Sequence, residues 1–80
     1  MTDLIPLSEL ELGAAGTVER LELEGEQRRR LLDLGLIPGT VVKAEFSSPF
    51  GDPISYRVRG AFIALRNAQA QQIMIRRSQS

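Results

Sequence analysis

Ten acidic and ten basic side chains carry most of the polar chemistry of this 80-residue chain, which has neither histidine nor cysteine. The imidazole proton shuttle, the thiol nucleophile and the usual zinc ligand sets are therefore unavailable. A carboxylate pair can still do acid–base work when two acids face one cleft with separated pKa values. Most acids here fall on the outward phase of the first predicted strand or near the chain ends. No GxxxxGK[ST] and no GxGxxG is present to cradle phosphate. A first-row transition-metal site would want imidazole beside carboxylate. Asp52 and Glu26 offer only oxygen, and the pattern fits them better to a loop anchor and a helix N-terminal charge. The reading is a non-enzyme with no cofactor, no catalytic residue and no metal ligand.

The arginines are the other chemistry on offer. Arg28, Arg29 and Arg30 form a run on a predicted helix, either a solvated face or a partner-docking patch. Arg57 and Arg59 share the outer phase of one predicted strand, with Arg66 and Arg76 expected nearby. Nucleic-acid binding would pair such a stripe with exposed aromatics. Only Phe46, Phe50, Tyr56 and Phe62 are aromatic, and alternation places Phe46 and Tyr56 in the core. A groove for proline-rich peptides suffers the same shortage. Net charge is zero, so no nucleic-acid partner is expected. Residues 1–26 nevertheless hold seven acids and one base, while 53–80 hold five arginines and no acid. The expectation is that the two ends neighbour and neutralise each other.

The elements that must position these groups follow from periodicity and punctuation. Leu7–Leu10 has the makings of one helical turn with Ser8 as a cap. Ala15 to Leu23 reads as a strand whose apolar positions, Val18, Leu21 and Leu23, change parity. A bulge near Glu19-Arg20 would return Val18 and Leu21 to one face. Glu26 to Leu34 is rich in helix formers, sets Leu31 and Leu34 on one face and ends at Gly35, placed for a left-handed C-cap. Ile37-Pro38-Gly39-Thr40 has type II turn chemistry. Thr40 to Phe46 follows as a strand with Val42, Ala44 and Phe46 inward. Ser48 to Pro53 is a loop in which Gly51 and Pro53 are turn residues. Ile54, Tyr56 and Val58 alternate inward along the next strand, and Gly60 turns the chain into 61–66. Asn67 is placed to cap a short helical turn at 68–72, and Ile73 to Arg76 closes as a final strand.

Five short strands, one helix after the first and a helical turn before the last predict a mainly β single domain over 1–80. The predicted architecture is a small SH3-like barrel with frayed tips at about 1–5 and 77–80. Closure of the barrel would remove free strand edges. No apolar run approaches the ~20 residues that span a bilayer, and no basic stretch followed by an apolar one opens the chain, so no direct membrane insertion is expected. A cysteine-free chain fits a reducing, cytoplasmic compartment. Met74, read as exposed on a terminal strand, leaves self-association open.

Leu31-Leu32-Asp33-Leu34-Gly35-Leu36-Ile37-Pro38-Gly39-Thr40 resembles the helix-to-turn signature of ferrous iron transport protein A (FeoA) domains. Phe50-Gly51-Asp52-Pro53, Tyr56-Arg57-Val58-Arg59-Gly60 and Ile63-Ala64-Leu65-Arg66, with Ala70 and Ile73, follow in the family's order. The similarity spans roughly Leu7 to Arg76. The resemblance implies a cytoplasmic accessory of ferrous iron uptake that docks on the cytosolic region of a FeoB-type permease and supports or regulates it, without carrying iron itself.

A docking surface is expected at Arg28, Arg29, Leu36, Ile37, Phe50 and Asp52, with Gly35, Pro38, Gly39, Gly51, Pro53 and Gly60 serving the backbone. Two alternatives stay open. The same fold resembles the C-terminal module of iron-dependent repressors, and a general protein- or RNA-binding small barrel would look alike at this level.

Overall fold

The computed structural model describes residues 4–78. Six strands form one antiparallel sheet in the order β1-β6-β2-β3-β4-β5. They are β1 (Leu4–Pro6), β2 (Ala15–Leu21), β3 (Val41–Ser47), β4 (Ile54–Val58), β5 (Ala61–Leu65) and β6 (Ile73–Arg77). Helix α1 (Gly25–Asp33) joins β2 to β3, α2 (Asn67–Ala70) joins β5 to β6, and a 3-10 turn, Leu7–Glu9, follows β1. The mainly β, SH3-like architecture expected from the sequence is what forms, with one strand more than expected. Leu4 and Ile5, expected to fray, pair with Arg76 and Ile75. Arg77 lies within β6, and the Ser78 N–H bonds the Ala15 carbonyl. The fraying expected of 1–3 and 79–80 lies outside the described residues.

The sheet curls without closing by strand pairing. Among the described residues β1 and β5 are its two end strands, and the 3-10 turn packs on α2 and β6. Fifteen apolar side chains fill the inside. They include Val18, Val42, Tyr56, Val58, Ile73 and Ile75 from the strands, with Leu7 from the 3-10 turn and Leu31 from α1. Burial of this apolar area drives folding in a chain too short to spare any of it.

Two one-residue slips set which side chains face in. The first lies in β2 against β6, between Val18 and Arg20. It turns Val18 fully inward and lets Leu21 pack partly against the core, as the parity change in the sequence requires. The second lies in β3 against β4, between Ala44 and Phe46. Val42 and Ala44 are buried, but past the slip Phe46 points outward and is half exposed. The expected inward Phe46 is thus corrected, because a single extra residue flips every side chain beyond it.

Helix α1 ends differently from its simplest reading. The Gly35 N–H bonds the Leu32 carbonyl and the Leu36 N–H bonds the Leu31 carbonyl, each at 3.0 Å, with Gly35 at φ +101°. This double bond pattern is a Schellman cap, which folds the residue after the glycine back onto the helix. Leu36 therefore joins Leu31 in the core at 0% exposure, while Leu34, expected beside Leu31, faces solvent. The turn Ile37–Thr40 follows at once, closed by a 2.9 Å bond from the Thr40 N–H to the Ile37 carbonyl with Gly39 at φ +98°.

Candidate docking surface

Three strands carry the surface that the core does not use. On the outer face of β3, β4 and β5, Lys43, Arg57 and Phe62 stand in one register row, and Phe46, Ser55 and Ala64 in the next. The Phe46 and Phe62 rings meet with centroids 5.6 Å apart and planes tilted by 42°. The Arg57 guanidinium lies 5.0 Å from the Phe62 centroid, a cation–π distance, and its Nε is 3.1 Å from the Glu45 carboxylate. Val41, Phe46 and Phe62 are each more than half exposed. Arg57 thus bridges an aromatic pair and an acid that the β3 bulge brings to the same face.

At the α1 end of this face an open groove of about 700 Å³ runs between the Ile37–Thr40 turn and the β4–β5 turn. Ile37, Pro38 and Val41 form its apolar side, while Lys43, Arg57 and Arg59 form its basic side. The β4–β5 turn is a two-residue hairpin with Arg59 at φ +54° and Gly60 at φ +83°, the type I′ geometry that suits strand twist. The α1 cap sits against it, since a methyl on Gly35 would lie 3.4 Å from Val58 Cγ1 and 3.6 Å from Arg59 Cδ. The helix exit and the hairpin are therefore held together as one rim.

The six side chains expected to dock do not form one patch. Ile37 lines the groove and is exposed. Arg28 and Arg29 are exposed on α1, with Arg29 beside Glu26, Gln27, Arg30 and Asp33 in a shallow depression. Leu36 is corrected out of the surface, because the Schellman cap buries it completely. Phe50 is 95% exposed but lies in the β3–β4 loop, at the far end of β3 from Ile37. Seven strand residues separate these two sites, a rise of roughly 20 Å. Asp52 is held in the same loop by two bonds. Its N–H donates to Ser48 Oγ at 3.1 Å, and its Oδ1 accepts the Asn67 N–H at 3.0 Å. Asp52 thus caps α2 from a distance of fifteen residues along the chain. Asn67 is the first residue of α2 rather than its cap, and the Gln69 side chain accepts the Arg66 N–H. Likewise no side chain caps the 3-10 turn, where Pro6 holds the position expected of Ser8.

The charge asymmetry resolves largely as expected. Arg76 pairs with Glu19 at 3.1 Å and Arg77 with Glu11, so β6 neutralises the acidic early segment. The Arg77 guanidinium holds the Glu11 carboxyl below the usual carboxylate range. Met74, read as exposed on a terminal strand, instead sits half-buried on β6 between β1 and β2, opposite Pro6 and Arg20. Among the described residues no methionine is exposed on a terminal strand.

Tyr56, fully buried, reaches the Leu7 carbonyl at 3.5 Å, the long limit of a hydrogen bond. Burial, with a smaller contribution from Asp52, pushes its hydroxyl up to about 12. Among the described residues no group of three or more His, Cys, Asp or Glu is placed to hold a metal ion. No helix among them is long and apolar enough to cross a membrane.

What sequence reasoning missed is the aromatic half of the surface. Phe46 is hidden by the bulge, and Phe62 lies in the segment 61–66, whose two faces the sequence pattern leaves unassigned.

Comparison with known proteins places this geometry. The FeoA domain family model matches residues 5–77. A Porphyromonas gingivalis protein described as an Fe(2+) transport protein A/Fe(2+) transporter FeoB fusion is 32% identical over 69 residues, 86% of this chain. The chain spans only 8% of that relative's length. The FeoA-like protein of Clostridium acetobutylicum superposes with a TM-score of 0.89 at 34% identity, covering 100% of this chain and 93% of the other. Stenotrophomonas maltophilia FeoA, solved with zinc and described as a prokaryotic SH3 domain protein, gives 0.75 at 32% identity, covering 94% and 88%. The fold alone recurs in a manganese-dependent transcriptional repressor, with a TM-score of 0.85 at 20% identity over 98% of this chain and 44% of that one. With the family model covering nearly every described residue, from the β1–β6 pairing through the capped helix to the final strand, the chain belongs to the FeoA domain family.

Proposed function

We propose that this chain is an accessory of ferrous iron uptake that docks on the cytosolic region of a FeoB-type permease and supports or regulates transport. The observation that carries the reading is the fusion relative, in which a matching segment and a transporter named FeoB share one polypeptide. Segments joined in one polypeptide commonly work at one place. The chemistry of the chain supports a binding role, since it has no imidazole, no thiol and no phosphate-cradling loop. On this reading it stays on the cytoplasmic side and acts by contact rather than by turnover.

The groove at Ile37 and Val41 is the docking surface we favour, with Arg28 and Arg29, exposed on α1, as a separate basic contact. Apolar contacts bordered by charged and polar ones are what protein interfaces use. Phe50 and Asp52 lie too far away to share it, and Asp52 is occupied in capping α2. The test is co-purification with the permease's cytosolic region, with and without a GTP analogue. Retention of the parent chain, lost in Ile37→Glu and weakened in Arg29→Glu, supports the reading. Retention unchanged in both variants sinks the surface, and no retention of the parent chain sinks the function.

A further inference from the structure

The end strand β5 has a free side. Its register with β4 starts from a two-residue turn, so Val58 and Ala61 form the first hydrogen-bonded pair and Tyr56 and Ile63 the next. The intervening residues, Phe62 and Ala64, then aim their N–H and C=O groups away from β4. β5 is the last strand of the sheet, and no backbone partner of Phe62 or Ala64 lies on that side among the described residues. Their side chains are exposed on the outer face, beside Phe46 and Arg57. Two donors and two acceptors at strand spacing, next to an exposed aromatic pair, are what an added strand needs.

Charge decides what kind of strand fits. β5 is bracketed by Arg59 in the preceding turn and Arg66 immediately after it, and neither has a carboxylate within 4.0 Å among the described residues. Arg57 and Lys43 stand on the same face with Glu45 as their shared acid. A second copy of β5 added antiparallel would bring its own Arg59 and Arg66 against this pair, the arrangement by which natural edges repel their own kind. An acidic strand meets the opposite condition.

We propose that the free edge of β5 takes an extended, acidic peptide segment of a partner protein by strand addition. Backbone bonds form to Phe62 and Ala64, apolar side chains lie on Phe62 and Phe46, and carboxylates sit near Arg59 and Arg66. The inference stands apart from the permease reading and needs no permease to test.

The test uses the whole chain and a short blocked peptide that alternates valine and threonine and ends in glutamates, with its lysine-ended counterpart as control. Amide exchange at Phe62 and Ala64 slows on adding the acidic peptide, and the effect weakens with salt. Ala64→Pro removes an outward N–H that the β4 ladder does not use and should weaken binding by about fivefold or more. Arg66→Glu should weaken it further while leaving the melting temperature unchanged, which keeps the test decisive if the proline variant folds poorly. Equal slowing by both peptides, or no slowing with either at saturating concentration, overturns the proposal. Slowing that rises with protein concentration and needs no peptide assigns the edge to a second copy and also overturns it.

Discussion

The inner and outer faces of β3, β4 and β5 are built from the same kinds of residue and put to opposite uses. Inward, Val42, Ala44, Tyr56, Val58, Ile63 and Leu65 are buried against one another and against α1's last turn. Outward, Val41, Phe46 and Phe62 are as apolar yet remain in water beside Arg57 and Lys43. A side chain that stays exposed contributes little of its transfer free energy to folding. Its apolar area remains unspent, available to association. The difference separates positions where substitution breaks the molecule from positions where it breaks recognition.

The strongest challenge to that division is Leu36→Glu. A carboxylate forced into the place where Leu36 meets Leu31 has no partner, so we expect a loss of more than about 4 kcal/mol. A thermal melt should show an unfolded chain or a transition lowered by tens of degrees. A folded variant would return Leu36 to the surface and undo the inner-face assignment.

A milder probe of the inner face is pH. Tyr56 is neutral and buried, with its hydroxyl raised from 10.0 to about 12. A raised folded-state pKa means the associated stability is whole below pH 10 and is lost as pH rises through 12. That window should cost roughly 2–3 kcal/mol by the size of the shift. Tyr56→Phe should flatten the alkaline limb of a denaturant midpoint measured against pH, and an unchanged limb would show that Tyr56 is not desolvated.

The smallest stability effect sharpens the comparison from the outside. Phe62→Ser removes the aromatic pair and the cation–π contact on a surface already wet, so its cost should be about 1–2 kcal/mol. Denaturant unfolding checks this directly. A loss of several kcal/mol would mean that the outer face supports the fold after all.

How much of this was legible follows from the range of each interaction. The helix with its glycine exit, the Ile37–Thr40 turn and the Tyr56–Val58 alternation are encoded by neighbours a few residues apart, and they read correctly. The parity change from Val18 to Leu21 announced the first bulge, because both residues have to face in. Nothing comparable announced the second. Phe46 continues the parity of Val42 and Ala44, and only the pairing with β4 reveals the slip. Leu36 was misjudged for a related reason. A residue after a helix-ending glycine looks like loop, yet the cap returns it to the helix face, and an apolar residue at that position was a signal within reach. Asp52 capping α2 is non-local and could not be read from spacing. The docking surface suffered most, since a surface is whatever the core leaves over, and two errors in the core moved it.

The placement of β6 bears on how the chain is made. Although late in sequence, β6 lies between β1 and β2, so it separates the two earliest strands instead of extending the sheet at its rim. A ribosome delivering residues in order would release β1 through β5 with a vacant slot in their midst. Ile73 and Ile75, both fully buried, would have to arrive before the sheet could become continuous. Pairings so distant along the chain close slowly, and cooperative folding of this domain should wait for its last strand to leave the exit tunnel.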